Sequence, residues 1–209
     1  MSSRDTILAS VRDNRPALDR PLPNVPMFDG APPASLLEAF RTTLPAMGGD
    51  LLEAAPGQNP FDLIKERLAD AKQVASATPE VAGNRALSAV QAPRDLSDID
   101  IGVVRASFAV AETGSVCLTQ DDLGINALGY LPQHLIVLLD PADIVINLHH
   151  AYARPEFQHV NYAVFHTGPS ATADIEGVLI HGAQGVRSLT VLIAPRPAGD
   201  TTNSAARTA

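Results

Sequence analysis

Two uninterrupted aliphatic runs constrain this chain most: "HLIVLLD" at 134–140 and "SLTVLIA" at 188–194. Each has strand length and no polar alternation. A strand with one wet face alternates apolar and polar residues; a strand that is apolar throughout must be covered on both faces. Such strands occur in parallel sheets with helices against them. The flanking segments agree. "ASLLEAFRTTLPAM" places Leu36, Leu37, Phe40 and Leu44 at helical spacing, and Gly48-Gly49 ends it. "NPFDLIKERLADA" predicts a helix with Asn59 as cap and Pro60 in the first helical position. "DLLEA", "QVASA" and "NYAVFHT" are short strand candidates, and "IGVVRASFAVAETGSVCLTQ" breaks into short apolar runs. "PADIVINLHHAYAR" and "ADIEGVLIHGAQG" are expected to be helical, whereas 78–100 reads as irregular. Strands alternating with helices define an α/β fold with a mostly parallel sheet.

The ends differ from this body. Residues 4–15 read as a short amphipathic helix, capped by Ser3, with Ile7, Leu8 and Val11 on one face. Pro16, Pro21, Pro23, Pro26, Pro32 and Pro33 then make an extended arm. An apolar helix on such an arm suits packing on a neighbour, a second copy included; a loosely ordered terminus is the alternative. The expected organisation is a helix and arm over 1–33, an α/β domain over 34–195 and a disordered tail over 196–209.

Composition excludes several functions. The 15 Lys and Arg stand against 23 Asp and Glu, a net charge of −8, and no basic cluster exists to track nucleic acid or an anionic membrane. No apolar run approaches the ~20 residues of a membrane span. The first residues are too polar for a signal peptide. With one cysteine, Cys117, no intrachain disulfide can form, which fits the cytoplasm; Cys117 reads as a core residue. His149 and His150 are adjacent on an expected helix and point about 100° apart, so they do not converge on a metal. His134, His159, His166 and His181 are isolated. No metal site is expected.

Two stretches sit where an α/β sheet binds ligands, at strand ends leading into turns. In "TGPSATADIEG" (167–177), Gly168 and Pro169 break the chain and Ser170 or Thr172 is placed to cap a following helix. Free N–H groups and hydroxyls there suit a phosphate or carboxylate. Asp174 and Glu176 bring negative charge to the same turn and would repel it, so a well-capped helix start is an equal reading. In "AETGS" (111–115), Glu112 stands alone among apolar residues. If desolvated, it suits a nucleophile or general base; otherwise Thr113-Gly114 is simply a hairpin turn.

"FAVAETGSVCL", "LPQHLIVLL" and "GPSATADIEGVLIHGAQG", in this order and spacing, resemble the lactate-utilization (LUD) domain family, most closely its stand-alone LutC/YkgG-type members. "LLEAFRTTLPAMGGDLLE" resembles it too, and the likeness covers roughly 34–195. The resemblance implies a three-layer α/β fold similar to the NagB/RpiA/CoA-transferase group. It implies a part in oxidising L-lactate to pyruvate within a three-protein system whose partner proteins carry the iron–sulfur clusters. This chain is then the cluster-free member and holds no cofactor of its own. It would bind those partners or a small anionic metabolite. By position, the site implied is Glu112 as a catalytic residue, with Thr113, Gly114, Gly168, Ser170, Thr172, Asp174 and Glu176 as ligand-binding residues. The resemblance does not assign chemistry to this member. An accessory subunit and an independent enzyme using Glu112, as CoA transferases use a glutamate near a strand end, both stay open. One departure stands out: where many relatives read GVHGP, this chain has Gly182-Ala183-Gln184-Gly185-Val186. Gln184 cannot transfer a proton in place of that histidine.

Overall fold

A computed structural model describes residues 2–16, 23–174, 176–181 and 184–196. The expected tail, beyond Arg196, and 17–22 of the arm lie outside the described residues. In chain order the elements are α1 (Ser3–Asp13), α2 (Leu36–Ala46), β1 (Asp50–Leu52), α3 (Asp62–Asp70), β2 (Val74–Ser76), β3 (Ile101–Arg105), β4 (Phe108–Val110), β5 (Ser115–Thr119), α4 (Gln120–Leu123), β6 (His134–Leu139), β7 (Ile144–Val145), α5 (Leu148–Tyr152), α6 (Glu156–His159), β8 (Ala163–His166), β9 (Ala171–Thr172), β10 (Ile180–His181) and β11 (Ser188–Ile193).

The two aliphatic runs are β6 and β11, neighbours at the centre of a five-stranded sheet of order β1-β11-β6-β3-β2. All four pairings in that sheet are parallel. Burial on both faces is direct. Leu135, Val137 and Leu139 pack into one core with Leu189 and Val191, while Ile136 and Leu138 pack into a second with Val103 and Leu192. Helix α3 covers the second face through Ile64 and Leu68. The first face is covered by α2, through Phe40 and Leu44, and by another sheet.

That second sheet is where the fold exceeds what the sequence predicts. It has four strands in the order β7-β4-β5-β8, and β5 is antiparallel to both neighbours. Its inner residues, Ala109, Val116 and Leu118, join the first core. Its outer residues, Phe108, Val110 and Cys117, pack under Ala151 of α5 and Phe157 of α6. Alternation along β4 and β5 thus serves two cores, and every residue is buried.

Local chemistry explains the helix boundaries. Ser35 caps α2 by accepting from the Glu38 N–H at 3.2 Å. For α1 the cap is Ser2 rather than Ser3, in a reciprocal capping box with Asp5. Asn59 does not cap α3: its Oδ1 accepts from the Phe61 N–H at 3.2 Å, closing the turn before the helix, which begins at Asp62. The helix expected over 141–154 is instead a 3-10 turn at Pro141–Asp143, strand β7 and the short α5. Ile144 and Val145, both β-branched, pair with Ala109 and Val110, and Asn147 restarts the chain as the α5 cap.

Helix α1 buries none of its residues, and Ile7 and Val11 are exposed. The described part of the arm packs on its own domain. Asn147 Nδ2 donates to the carbonyls of Met27 and Phe28 at 2.8 and 3.3 Å, and the Phe28 ring lies 4.8 Å from that of His149.

Candidate functional site

"AETGS" is the hairpin turn between β4 and β5, where Val110 pairs with Ser115. The Gly114 N–H donates to the Val110 carbonyl at 3.0 Å, and the Ala111 and Glu112 N–H groups donate to Val145 and Ile146. Gly114 has φ 67°, and a Cβ there would meet the backbone N of Leu44 in α2 at 2.5 Å. Only glycine satisfies both the conformation and the approach. Glu112 is exposed rather than desolvated, and its Oε2 accepts from the Leu148 N–H at 3.3 Å, at the start of α5. The expectation of an acid activated by burial is therefore not met; the hairpin reading is the one found.

"TGPSATADIEG" follows β8 and reaches the same helix from the other side. Gly168 has φ 77°, and a Cβ would lie 2.1 Å from the Met47 carbonyl oxygen at the end of α2. Ser170 then donates its N–H to Val186 at 2.9 Å. No helix follows. Strands β9 and β10 form an antiparallel hairpin, with Thr172 paired to Ile180. Glu176 and Gly177 have φ 53° and 72° and reverse the chain, a conformation no right-handed helix allows. The β-branched Val178 and Ile180 suit the extended return. Ser170 and Thr172 thus cap nothing, and there is no helix dipole to hold an anion. Thr172 Oγ1 instead donates to Asp174 Oδ2 at 3.0 Å in an exposed local turn.

The two turns meet through side-chain hydroxyls. Thr113 Oγ1 lies 2.7 Å from Ser115 Oγ, which lies 2.5 Å from Thr167 Oγ1. This chain runs along a cleft of about 580 Å³ that Glu112 also lines, with Met47, Tyr152 and Phe165 opposite. No lysine or arginine is in the described lining, and its one charged group is the Glu112 carboxylate. A second cleft, of about 260 Å³, shares Phe165 and Thr167 with the first and is lined further by His166, Gly168, Ser170 and Gln184. The sequence-derived residues therefore divide. Glu112 and Thr113 share the larger cleft, Gly168 and Ser170 the smaller. Gly114 is buried against α2, and Thr172, Asp174 and Glu176 line neither cleft.

Three residues of these clefts escape a sequence reading: Ser115, Thr167 and His166. The first two lie within the quoted stretches, but hydroxyls gain meaning only when the turns meet. His166 ends an apolar strand and is 9% exposed. Its Nε2 is buried with no hydrogen-bond partner, and a Cβ on Gly129 would lie 3.2 Å from that nitrogen. Burial pushes the imidazole pKa down to about 4, so the ring is neutral at physiological pH. Nothing in the sequence distinguishes it from the other isolated histidines.

A buried polar network closes the carboxyl ends of the parallel strands. Arg105 Nε donates to Glu80 at 2.6 Å and its Nη1 to the Ala194 carbonyl at 2.9 Å. Arg196 donates from its backbone to Asp140 and from its side chain to Asp143 and the Ala106 carbonyl. Burial raises the pKa of Asp122, opposed by hydrogen bonds from Ser107 and Thr119. Apart from the buried Arg105 Nη2, which has no partner among the described residues, these groups are held by hydrogen bonds at the strand ends. Among the described residues, no group of three or more His, Cys, Asp or Glu is placed to hold a metal, and no helix is long and apolar enough to cross a membrane.

Comparison with known proteins agrees with this arrangement. The model of the LUD domain matches residues 38–194, and the chain belongs to the LUD domain family. It is 28% identical over 100 residues to lactate utilization protein C of Oceanobacillus iheyensis, a match covering 45% of this chain and 43% of that protein. The match thus spans less than half of that relative. A crystal structure of a DUF162 family protein from Deinococcus radiodurans shares the fold, with a TM-score of 0.53 at 15% identity over 81% of this chain and 99% of that one.

Proposed function

We propose that this chain is a subunit of a lactate-utilization system, the cluster-free partner of iron–sulfur proteins that oxidise L-lactate to pyruvate. Its membership of the LUD domain family and its likeness to a lactate utilization protein C support the reading. The observation that carries a ligand role is the Thr113–Ser115–Thr167 hydroxyl chain, which joins both family motifs along one cleft. Hydroxyls, a carboxylate and an apolar wall suit a small polar ligand that donates hydrogen bonds, such as a hydroxy acid presenting its hydroxyl to Glu112. Since the described lining offers no cation, the carboxylate of such an acid would face solvent while its hydroxyl meets Glu112. Redox chemistry would belong to the partners, and this chain would bind, position or assemble. Affinity purification from lactate-grown cells tests this: iron–sulfur proteins should co-purify. If the purified partners oxidise lactate at full rate without this chain, the reading fails.

A second reading rests on one observation. Glu112 is exposed in the cleft, and among the described residues its carboxylate accepts one backbone N–H, which leaves an oxygen accessible to an acyl group. An independent CoA-transferase- or isomerase-like enzyme would lose turnover on Glu112→Gln while its fold survived. Absence of turnover by the purified chain with CoA thioesters and sugar phosphates would remove that support.

A further inference from the structure

We propose that a separate cleft at the amino ends of the parallel strands binds an oxyanion, the carboxylate or phosphate group of a small molecule, between Arg67, Lys72 and Arg187. The cleft measures about 490 Å³. Arg67 comes from α3, Lys72 from the link into β2, and Arg187 immediately precedes β11; His134, which opens β6, lines it between them. The site is independent of the hydroxyl cleft and of the function read from it.

Among the described residues, three cations without an ion pair converge on this cleft, whereas others that lack one, such as Arg4, Arg12 and Lys65, do not line it. In a chain of net charge −8, Arg41, Arg85, Arg105, Arg154 and Arg196 each form an ion pair with a carboxylate. Among the described residues, Arg67, Lys72 and Arg187 form none. Two acids share the lining, Asp70 and Asp100. The Asp100 carboxylate is engaged by the N–H groups of Lys72 and Gln73 at 2.8 and 2.9 Å. Arg67 Nη1 donates to Thr190 Oγ1 at 2.8 Å, which fixes the guanidinium over β11 and leaves its other donors for a ligand. His134 Nδ1 lies 2.8 Å from Ser188 Oγ. Its pKa is lowered, first by burial and then by Arg67 and Arg187, against Asp100. Three cations against two carboxylates, one of them already engaged by backbone N–H groups, leave the lining net positive, as an oxyanion requires.

The test is a magnetic-resonance titration of the full chain with inorganic phosphate and, separately, acetate, at fixed ionic strength, following the His134 ring. An oxyanion beside Arg67 and Arg187 offsets their field, so the His134 midpoint should rise on binding. Binding should saturate and weaken about tenfold or more in Lys72→Gln/Arg187→Gln, given two lost charge-assisted contacts. Neither side chain makes a described hydrogen bond, so the fold should persist. Glu112→Gln should bind as the wild type does. Saturation by phosphate alone points to a phosphorylated ligand, and saturation by acetate to a carboxylate; either supports the site. The proposal is overturned if neither anion saturates, if the double variant binds as tightly as wild type, or if Glu112→Gln abolishes binding.

Discussion

Ser115 Oγ and Thr167 Oγ1 lie 2.5 Å apart, joining turns 52 residues distant in sequence. The contact is part-buried and sits where β5 begins and β8 ends, beside α2. Removing either partner leaves the other hydroxyl short of a bond. Ser115→Ala, Thr167→Val and the double variant should therefore show a coupling of about 1 kcal/mol in urea unfolding. Strictly additive losses would mean that the turns are held only by their backbones.

Both motif glycines press against α2. Gly168→Ala should cost about 2–5 kcal/mol, since a left-handed φ and a backbone clash add together. Gly57 offers the control. Its φ is 83°, yet a Cβ there would meet nothing within 4 Å, so Gly57→Ala should cost only about 1 kcal/mol. Thermal unfolding separates these values. Equal shifts for the two variants would show that α2 moves away from Gly168 without penalty.

His166 gives stability a pH dependence. Its folded pKa, about 4, lies below its ordinary 6.5, so between those values the unfolded chain binds more protons. Stability is then fully present above about pH 6.5 and falls by about 3 kcal/mol as pH drops toward 4. His166→Gln should flatten that slope in urea unfolding at pH 7 and 4.5. A slope unchanged by the substitution would place the acid sensitivity elsewhere.

Cys117 is fully buried, and burial, with the Asp122 and Glu156 carboxylates, pushes its thiol up to about 12. A thiol-specific disulfide reagent should label it only after denaturant is added. Rapid labelling of the native protein would show that the β5 core opens under native conditions.

Where local chemistry and tertiary demand agreed, the sequence could be read directly. The β6 and β11 runs and the α2 helix belong to that class, because uniform apolarity and apolar residues at helical spacing each allow few structures; the Thr113-Gly114 hairpin is one of two readings that the sequence leaves open. Residues 144–145 and 180–181 read as helix on local periodicity, but they pair as strands. Pairing with β4 outweighs the helical pattern for Ile144 and Val145, and the positive φ at Glu176 and Gly177 closes a hairpin. The clefts were only partly legible. Glu112, Thr113, Gly168 and Ser170 stand out in sequence, whereas His166 acquires its character from burial against Gly129, a contact between distant segments.

We propose that this chain serves lactate oxidation through the cleft of Glu112, Ser115 and Thr167. The most direct test is L-lactate-dependent pyruvate formation in extracts of cells lacking the chain, with wild type or Glu112→Gln added back. Formation should fail without the chain, return with wild type and stay depressed about tenfold or more with the variant. Pyruvate formation at the full rate without the chain would rule out that role.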